Sequence, residues 1–317
     1  MRNAGKRDRR RERAVASLGK NNPFPYSQSD LESFVVSFVN CVGNAVFVPL
    51  ADLRISRFQP RSNSVGWFDA LARAFTRALP KSSQQTEAVN PGKPIVQDSC
   101  NECLDLMHRL MAYRHEPIHS ELMKIRDKYS MLHLDVLILI YHFAKLCSGA
   151  ILEIGAFVGG ATIAAALGVR DSRQEKKLIA IEPGGSVRHK RLGTRNILRD
   201  LERNLAKERV ASMVTLVKGQ SFKPETMSAV RQALGSGQVG LLILDADAAK
   251  RRDIDCYRDK FFEGSWMVID DIYGVDANEK ITPSRADVDA LVAEGLLEPL
   301  GFYGWSTWVG RWRGRLS

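Results

Sequence analysis

From about residue 100 onward the chain alternates short apolar runs with longer stretches whose apolar residues recur every three or four positions. The apolar runs are AILEIG (150–155), KLIAIEP (177–183), VTLVKG (214–219), GLLILDAD (240–247) and SWMVIDDI (265–272). Short runs that are apolar at nearly every position predict strands buried on both faces. A helical segment follows the first run, and others lie near 194–208, 225–234, 251–262 and 286–297. Two more, 101–114 and 131–147, precede the first strand. Strands alternating with helices predict right-handed crossovers and a parallel sheet covered on both faces. The rhythm changes at the end, where LEPLGFYG and STWVGRW are strand-like runs joined by a short turn with no helix between. They predict a terminal hairpin, so one strand runs antiparallel. The expected class is α/β, with a mostly parallel sheet.

Upstream the pattern is weaker. Residues 1–22 read as a tail and 23–99 as an N-terminal extension, leaving 100–317 for the regular domain. Within the extension, GWFDALARAFTRAL (66–79) places Phe68, Leu71, Phe75 and Leu79 on one helical face. PKSSQQTEAVNPGKP (80–94) has linker composition. The extension is expected to cap a substrate site or to form a homodimer contact.

Charge sharpens the reading of the tail. Residues 1–20 carry eight Lys/Arg against Asp8 and Glu12, so six of the ten net positive charges sit there. No aromatic residue is interleaved to stack on bases, so a solvated terminus is expected rather than a nucleic-acid partner. FVVSFVNCVGNAVFVPL (34–50) is broken by Asn40, Gly43 and Asn44, short of the roughly 18 uninterrupted apolar residues of a membrane span. No secretory signal pattern opens the chain. Five cysteines make a sparse, odd set, which fits a reducing cytoplasm better than a disulfide framework.

The first strand leads into LEIGAFVGGATIAAAL (152–167). In an open α/β sheet the ligand sits beyond the carboxyl ends of the strands, beside the first. Glu153, Gly155 and Gly159 lie at that end, and Glu182 ends the second strand, where an acid accepts from ribose hydroxyls. A pyrophosphate needs several glycines so that amides can close on it, but here Phe157 and Val158 fill the loop. No Lys follows, which excludes a G-x-x-x-x-G-K-[ST] phosphate loop. Glu153 would repel a phosphate and welcome a cation. A ribose joined to a cationic amino-acid end, without phosphate, describes S-adenosylmethionine.

Residues 148–317 resemble a class I S-adenosylmethionine-dependent methyltransferase, within the group that includes catechol and caffeoyl-CoA-type O-methyltransferases. LEIGAFVGGAT is similar to that group's first motif, LIAIEP to its second, VTLVKGQSF to its third, and LLILDADA and WMVIDDIYG to its fourth and fifth. The resemblance implies a Rossmann-like seven-stranded sheet ending in an antiparallel hairpin. It implies a cofactor site of Glu153, Gly155, Phe157, Gly159, Glu182 and Asp245, with Gln220 and Ser221 bordering the adenine.

Asp245 and Asp247 follow one strand, and Asp270 and Asp271 end the next. Adjacent strands would bring them to one rim, where crowded carboxylates need a cation or a proton between them. Oxygen-only ligands suit Mg²⁺, Ca²⁺ or Mn²⁺. The resemblance implies a divalent cation on Asp245, Asp270 and Asp271, with Asp271 where many members have Asn. Lys250 is the lysine nearest the family's catalytic position, two residues farther along. With metal, an acceptor hydroxyl would be acidified and oriented. Without it, Asp245 or Asp271 would act as general base.

The expected activity is methyl transfer to a hydroxyl of a small molecule. The region before residue 148 and the loop 273–287 are expected to contact that acceptor. A rival reading takes LLILDADA as the D-x-D of a metal-dependent nucleotide-sugar glycosyltransferase, and a third takes the chain as a cofactor-binding scaffold. HEPIH (115–119) spells the zinc-protease string, but Pro117 interrupts the helix that would align its imidazoles. Cys100 and Cys103 form a lone C-x-x-C, and the basic stretch 186–210 is expected to be a solvated helix face. Phe302, Tyr303, Trp305, Trp308 and Trp312 are expected mainly in core and hairpin packing, with one or two free to wall the acceptor site.

Overall fold

The computed structural model describes residues 95–274 and 279–314, with side chains from residue 101. The tail, the apolar window 34–50, the helix 66–79 and the linker 80–94 lie outside the described residues. Helix α1 (Ile95–Tyr113) starts ahead of the expected boundary at residue 100. Then come α2 (Pro117–Tyr129), α3 (Leu134–Leu146), β1 (Ala150–Ile154), α4 (Gly160–Ser172) and β2 (Leu178–Glu182). They are followed by α5 (Ile197–Lys207), β3 (Val214–Lys218), α6 (Pro224–Leu234), β4 (Val239–Leu244) and α7 (Lys250–Tyr257). The chain closes with β5 (Phe261–Ile269), α8 (Ile281–Ala293), β6 (Leu297–Tyr303) and β7 (Thr307–Trp312).

The seven strands form one sheet in the order β3-β2-β1-β4-β5-β7-β6. β1 pairs in parallel with both β2 and β4, so the strand order reverses beside it. β7 runs antiparallel to β5 and β6, which is the hairpin that the terminal runs predict.

Alternate strand residues feed two cores. Ile151, Leu241, Ile243 and Val268 face the layer of α1–α5, and Leu152, Ile154, Leu242 and Leu244 face α6–α8. α3 is deeply set, buried continuously from Val136 to Ala144. Each such aliphatic side chain contributes about 1.5–3 kcal/mol by burial, so this helix is a principal anchor of the sheet. Phe143 stacks on Trp266 of β5 with ring centroids 3.9 Å apart. Where α3 crosses α4, a Cβ on Gly168 would lie 2.9 Å from Ala144 Cβ, and only glycine allows that approach. Arg311 of β7 lies over the Trp266 ring and pairs with Glu102, fastening α1 to the sheet's antiparallel side.

The helix α2 was not anticipated at full length. Pro117 occupies its first turn, where the missing N–H costs nothing, and His115 lies in the turn before it. The two histidines of HEPIH therefore do not share a helix. Cys103 is buried, and its thiol donates to the Leu300 carbonyl at 2.8 Å. α5 buries Ile197, Leu201 and Leu205 and leaves Arg199 and Arg203 well exposed, as a solvated basic face requires. Among the described residues no helix is long and apolar enough to cross a membrane.

Candidate active site at the strand-order reversal

A cavity of about 400 Å³ opens beyond the carboxyl ends of β1, β2 and β4. The loop after β1 forms one side of it. Gly155 has φ +93°, and a Cβ there would overlap the Asp245 carbonyl, so neither the angle nor the space admits another residue. Phe157 also takes a left-handed φ of +50°, sparsely populated for a bulky side chain. Its N–H donates to Glu182 Oε2 at 2.7 Å, while Gly184 N–H donates to Glu182 Oε1 at 2.8 Å. The Glu182 carboxylate thus ties the loop after β1 to the loop after β2. Burial pushes its pKa up, against the lowering effect of the two amides.

Glu153, the penultimate residue of β1, is 1% exposed yet belongs to the cavity wall. Its Oε2 has no hydrogen-bond partner. Burial raises its pKa to about 8, which keeps the carboxyl protonated at neutral pH until a cation approaches.

The other expected cofactor residues divide. Gln220 and Ser221 line the cavity, but the Ser221 hydroxyl is committed to Asp253 Oδ1 at 2.7 Å. Gly159 caps α4 with φ +99° and faces Leu201 of α5, outside the wall, and Gly160 lines the cavity instead. A Cβ on Gly160 would lie 2.7 Å from the Tyr129 carbonyl oxygen, so the start of α4 abuts the end of α2. The segment Tyr129–Leu132 completes that wall. Arg191 holds it in place by donating to the carbonyls of Arg126 at 2.9 Å, Asp127 at 3.1 Å and Ser130 at 2.6 Å. No sequence signal links Arg191 to α2.

The acidic rim forms at the ends of β4 and β5. Carboxylate oxygens of Asp245, Asp270 and Asp271 lie within 4.8 Å of one another, the one such group among the described residues. Asp270 Oδ1 accepts from Ser306 Oγ at 2.9 Å and Thr307 Oγ1 at 2.5 Å. Asp271 has φ +61°. Asp245 belongs to the cavity wall, and burial together with the neighbouring Asp270 raises its pKa well above the usual carboxylate range.

Two lysines face the acids. Lys250, the first residue of α7, is wholly buried, is not part of the cavity wall, and its Nζ has no hydrogen-bond partner. Burial lowers its pKa, opposed by Asp245. Lys280 was missed from sequence. Its Nζ lies 3.8 Å from Asp245 Oδ1 and forms an ion pair with Asp271. It also lines the cavity.

Of the rival D-x-D pair, both Asp245 and Asp247 line the cavity. Asp247 also accepts from Ala249 N–H at 3.0 Å and pairs with Arg252 at the entry to α7. None of the five C-terminal aromatics lines the cavity. Trp308 and Trp312 are core residues, and Trp305 packs edge-on against His133.

Residues 152–272 match the family model described as a methyltransferase domain. No curated protein sequence matches the chain. Among solved structures it is similar to a Staphylococcus aureus protein provisionally described as a caffeoyl-CoA O-methyltransferase, at 14% identity and TM-score 0.49, covering 67% of this chain and 100% of that one. It is also similar to the O-methyltransferase TomG from Streptomyces achromogenes in complex with SAM, at 16% identity and TM-score 0.46, covering 63% and 91%. The O-methyltransferase from Bacillus cereus in complex with SAH matches at 10% identity and TM-score 0.46, covering 77% and 97%. Over residues 152–272 the chain is thus similar to a methyltransferase domain, set on a sheet whose seventh strand is reversed.

Proposed function

We propose that the cavity binds S-adenosylmethionine and that its methyl group passes to a hydroxyl of a small molecule. The observation that carries this reading is the pair of acids on one wall. Glu182 is held at the carboxyl end of β2, and Glu153 is buried with an unpartnered oxygen beside a glycine-entered loop. The donor chemistry fits a ligand with vicinal hydroxyls and positive charge, and disfavours a pyrophosphate. When bound, S-adenosylmethionine supplies a methyl group on a cationic sulfur, which is already electrophilic.

The chain's own residues would bind, orient and move a proton. Each Glu182 oxygen accepts one amide and retains a second lone pair for a ribose hydroxyl. Ser221 and Gln220 border the far end, and Phe157 walls the loop. Asp245, largely buried at the rim beside Lys280, is placed to take the proton of the acceptor hydroxyl. Its raised pKa brings it toward the operating pH, as general-base catalysis requires. Lys250 cannot touch an acceptor from its buried position and would act by holding Asp245. Three carboxylates suit a divalent cation by chemistry, but two of them already meet the Lys280 ammonium.

The test is transfer of isotopically labelled methyl from S-adenosylmethionine to a panel of hydroxyl-bearing small molecules. Asp245→Ala is expected to abolish transfer while leaving S-adenosylhomocysteine affinity nearly intact. Loss of binding instead would move Asp245 into the cofactor site.

A further inference from the structure

Three acids whose oxygens lie within 4.8 Å repel one another unless positive charge stands between them. The charge in place is the ammonium of Lys280, 3.8 Å from Asp245 and ion-paired with Asp271. Its backbone is not adrift. Lys280 is the N-cap residue of α8, and its carbonyl accepts the Ser284 N–H at 3.2 Å. α8 is bound to α7 in turn, through the Arg251 N–H on Asp287 at 2.9 Å and the Arg251–Glu294 ion pair. α7 begins with the buried Lys250, the second cation facing the same acids. The packing of two helices therefore delivers both cations to the triad.

A divalent ion on the triad would sit within a few ångströms of the Lys280 ammonium. Like charges this close repel strongly where water is partly excluded, and a dication doubles the repulsion of a single charge. Ammonium and metal thus exclude each other. We propose that Lys280 is the resident cation of the Asp245–Asp270–Asp271 triad, taking the place of a divalent metal. Resting on the methyl-transfer reading, a second consequence is that transfer proceeds without one.

Mn²⁺ uptake by the full chain, followed by the loss of the free-ion paramagnetic resonance signal, tests this directly. The wild type and Lys280→Arg are expected to leave the signal unchanged to millimolar Mn²⁺. Lys280→Gln, folded by circular dichroism, is expected to bind Mn²⁺ more than about tenfold more tightly, because one like charge is gone. Lys280→Ala repeats the measurement should the glutamine compete for a carboxylate. Wild-type uptake as tight as that of both neutral variants would overturn the proposal. S-Adenosylhomocysteine binding is measured on the same samples. Its loss would count against the methyl-transfer reading, whereas Mn²⁺ uptake reports on Lys280 alone.

Discussion

The Phe157 amide donates to Glu182 Oε2 at 2.7 Å, joining the loop after the first strand to the end of the second. That bond explains why a bulky residue is held at φ +50° in the loop after β1. The strained angle aims the N–H at the carboxylate, which accepts a second amide, from Gly184, at 2.8 Å. Glu182→Gln would set its NH₂ group against one of two N–H donors. An unsatisfied buried donor costs about 1–3 kcal/mol, so a lower melting temperature and a 10-fold or greater loss of S-adenosylhomocysteine affinity (about 1.4 kcal/mol per tenfold) are expected. Thermal unfolding and calorimetry check both.

Glu153 gives stability a pH dependence. Its folded pKa of about 8 lies above the ordinary value of 4.5, so the folded state holds a proton that the unfolded chain has lost. Nothing is lost below pH 4.5, stability falls as pH rises from 4.5 to 8, and the deficit is constant above that. Glu153→Gln should flatten this slope, seen as a melting-temperature gap that opens in the variant's favour between pH 5 and pH 8, about the two sides of the window.

The same carboxyl predicts proton release on binding. A cationic ligand beside Glu153 stabilises the carboxylate and drives the proton off. Calorimetry of S-adenosylmethionine near neutral pH, in buffers of different ionisation enthalpy, should show release approaching one proton per site in the wild type. Glu153→Gln should show none.

Much of this site was legible in the sequence. Apolar runs of strand length interrupted by helical periods predict the sheet because a parallel strand buried on both faces has no polar side. Glu182 and Asp245 were legible because each closes such a run, at the end where ligands bind. Lys280 was not, since only the packing of α8 on α7 brings it to Asp271, and no local pattern encodes that contact. Arg191 was hidden for the same reason, reaching α2 from a basic stretch that reads as surface. Gly159 and Gly160 are neighbours in LEIGAFVGG, and only the start of α4 decides which faces the cavity.

Arg191 carries a prediction of its own. Its three carbonyl contacts hold the end of α2, and so the Tyr129–Leu132 wall. Arg191→Ala should cost about 1–3 kcal/mol, as charge-assisted hydrogen bonds do. Faster amide exchange confined to residues 126–132 would accompany it, with S-adenosylhomocysteine affinity reduced and the rest of the sheet unaffected.

The cavity beyond β1, β2 and β4 is expected to take S-adenosylmethionine. Titration of the full chain with S-adenosylhomocysteine, beside a nucleotide diphosphate sugar as control, tests it most directly. Saturable binding of S-adenosylhomocysteine, weakened in Glu182→Gln and absent for the sugar nucleotide, is the predicted result. Binding of the sugar nucleotide with no response to S-adenosylhomocysteine would contradict it.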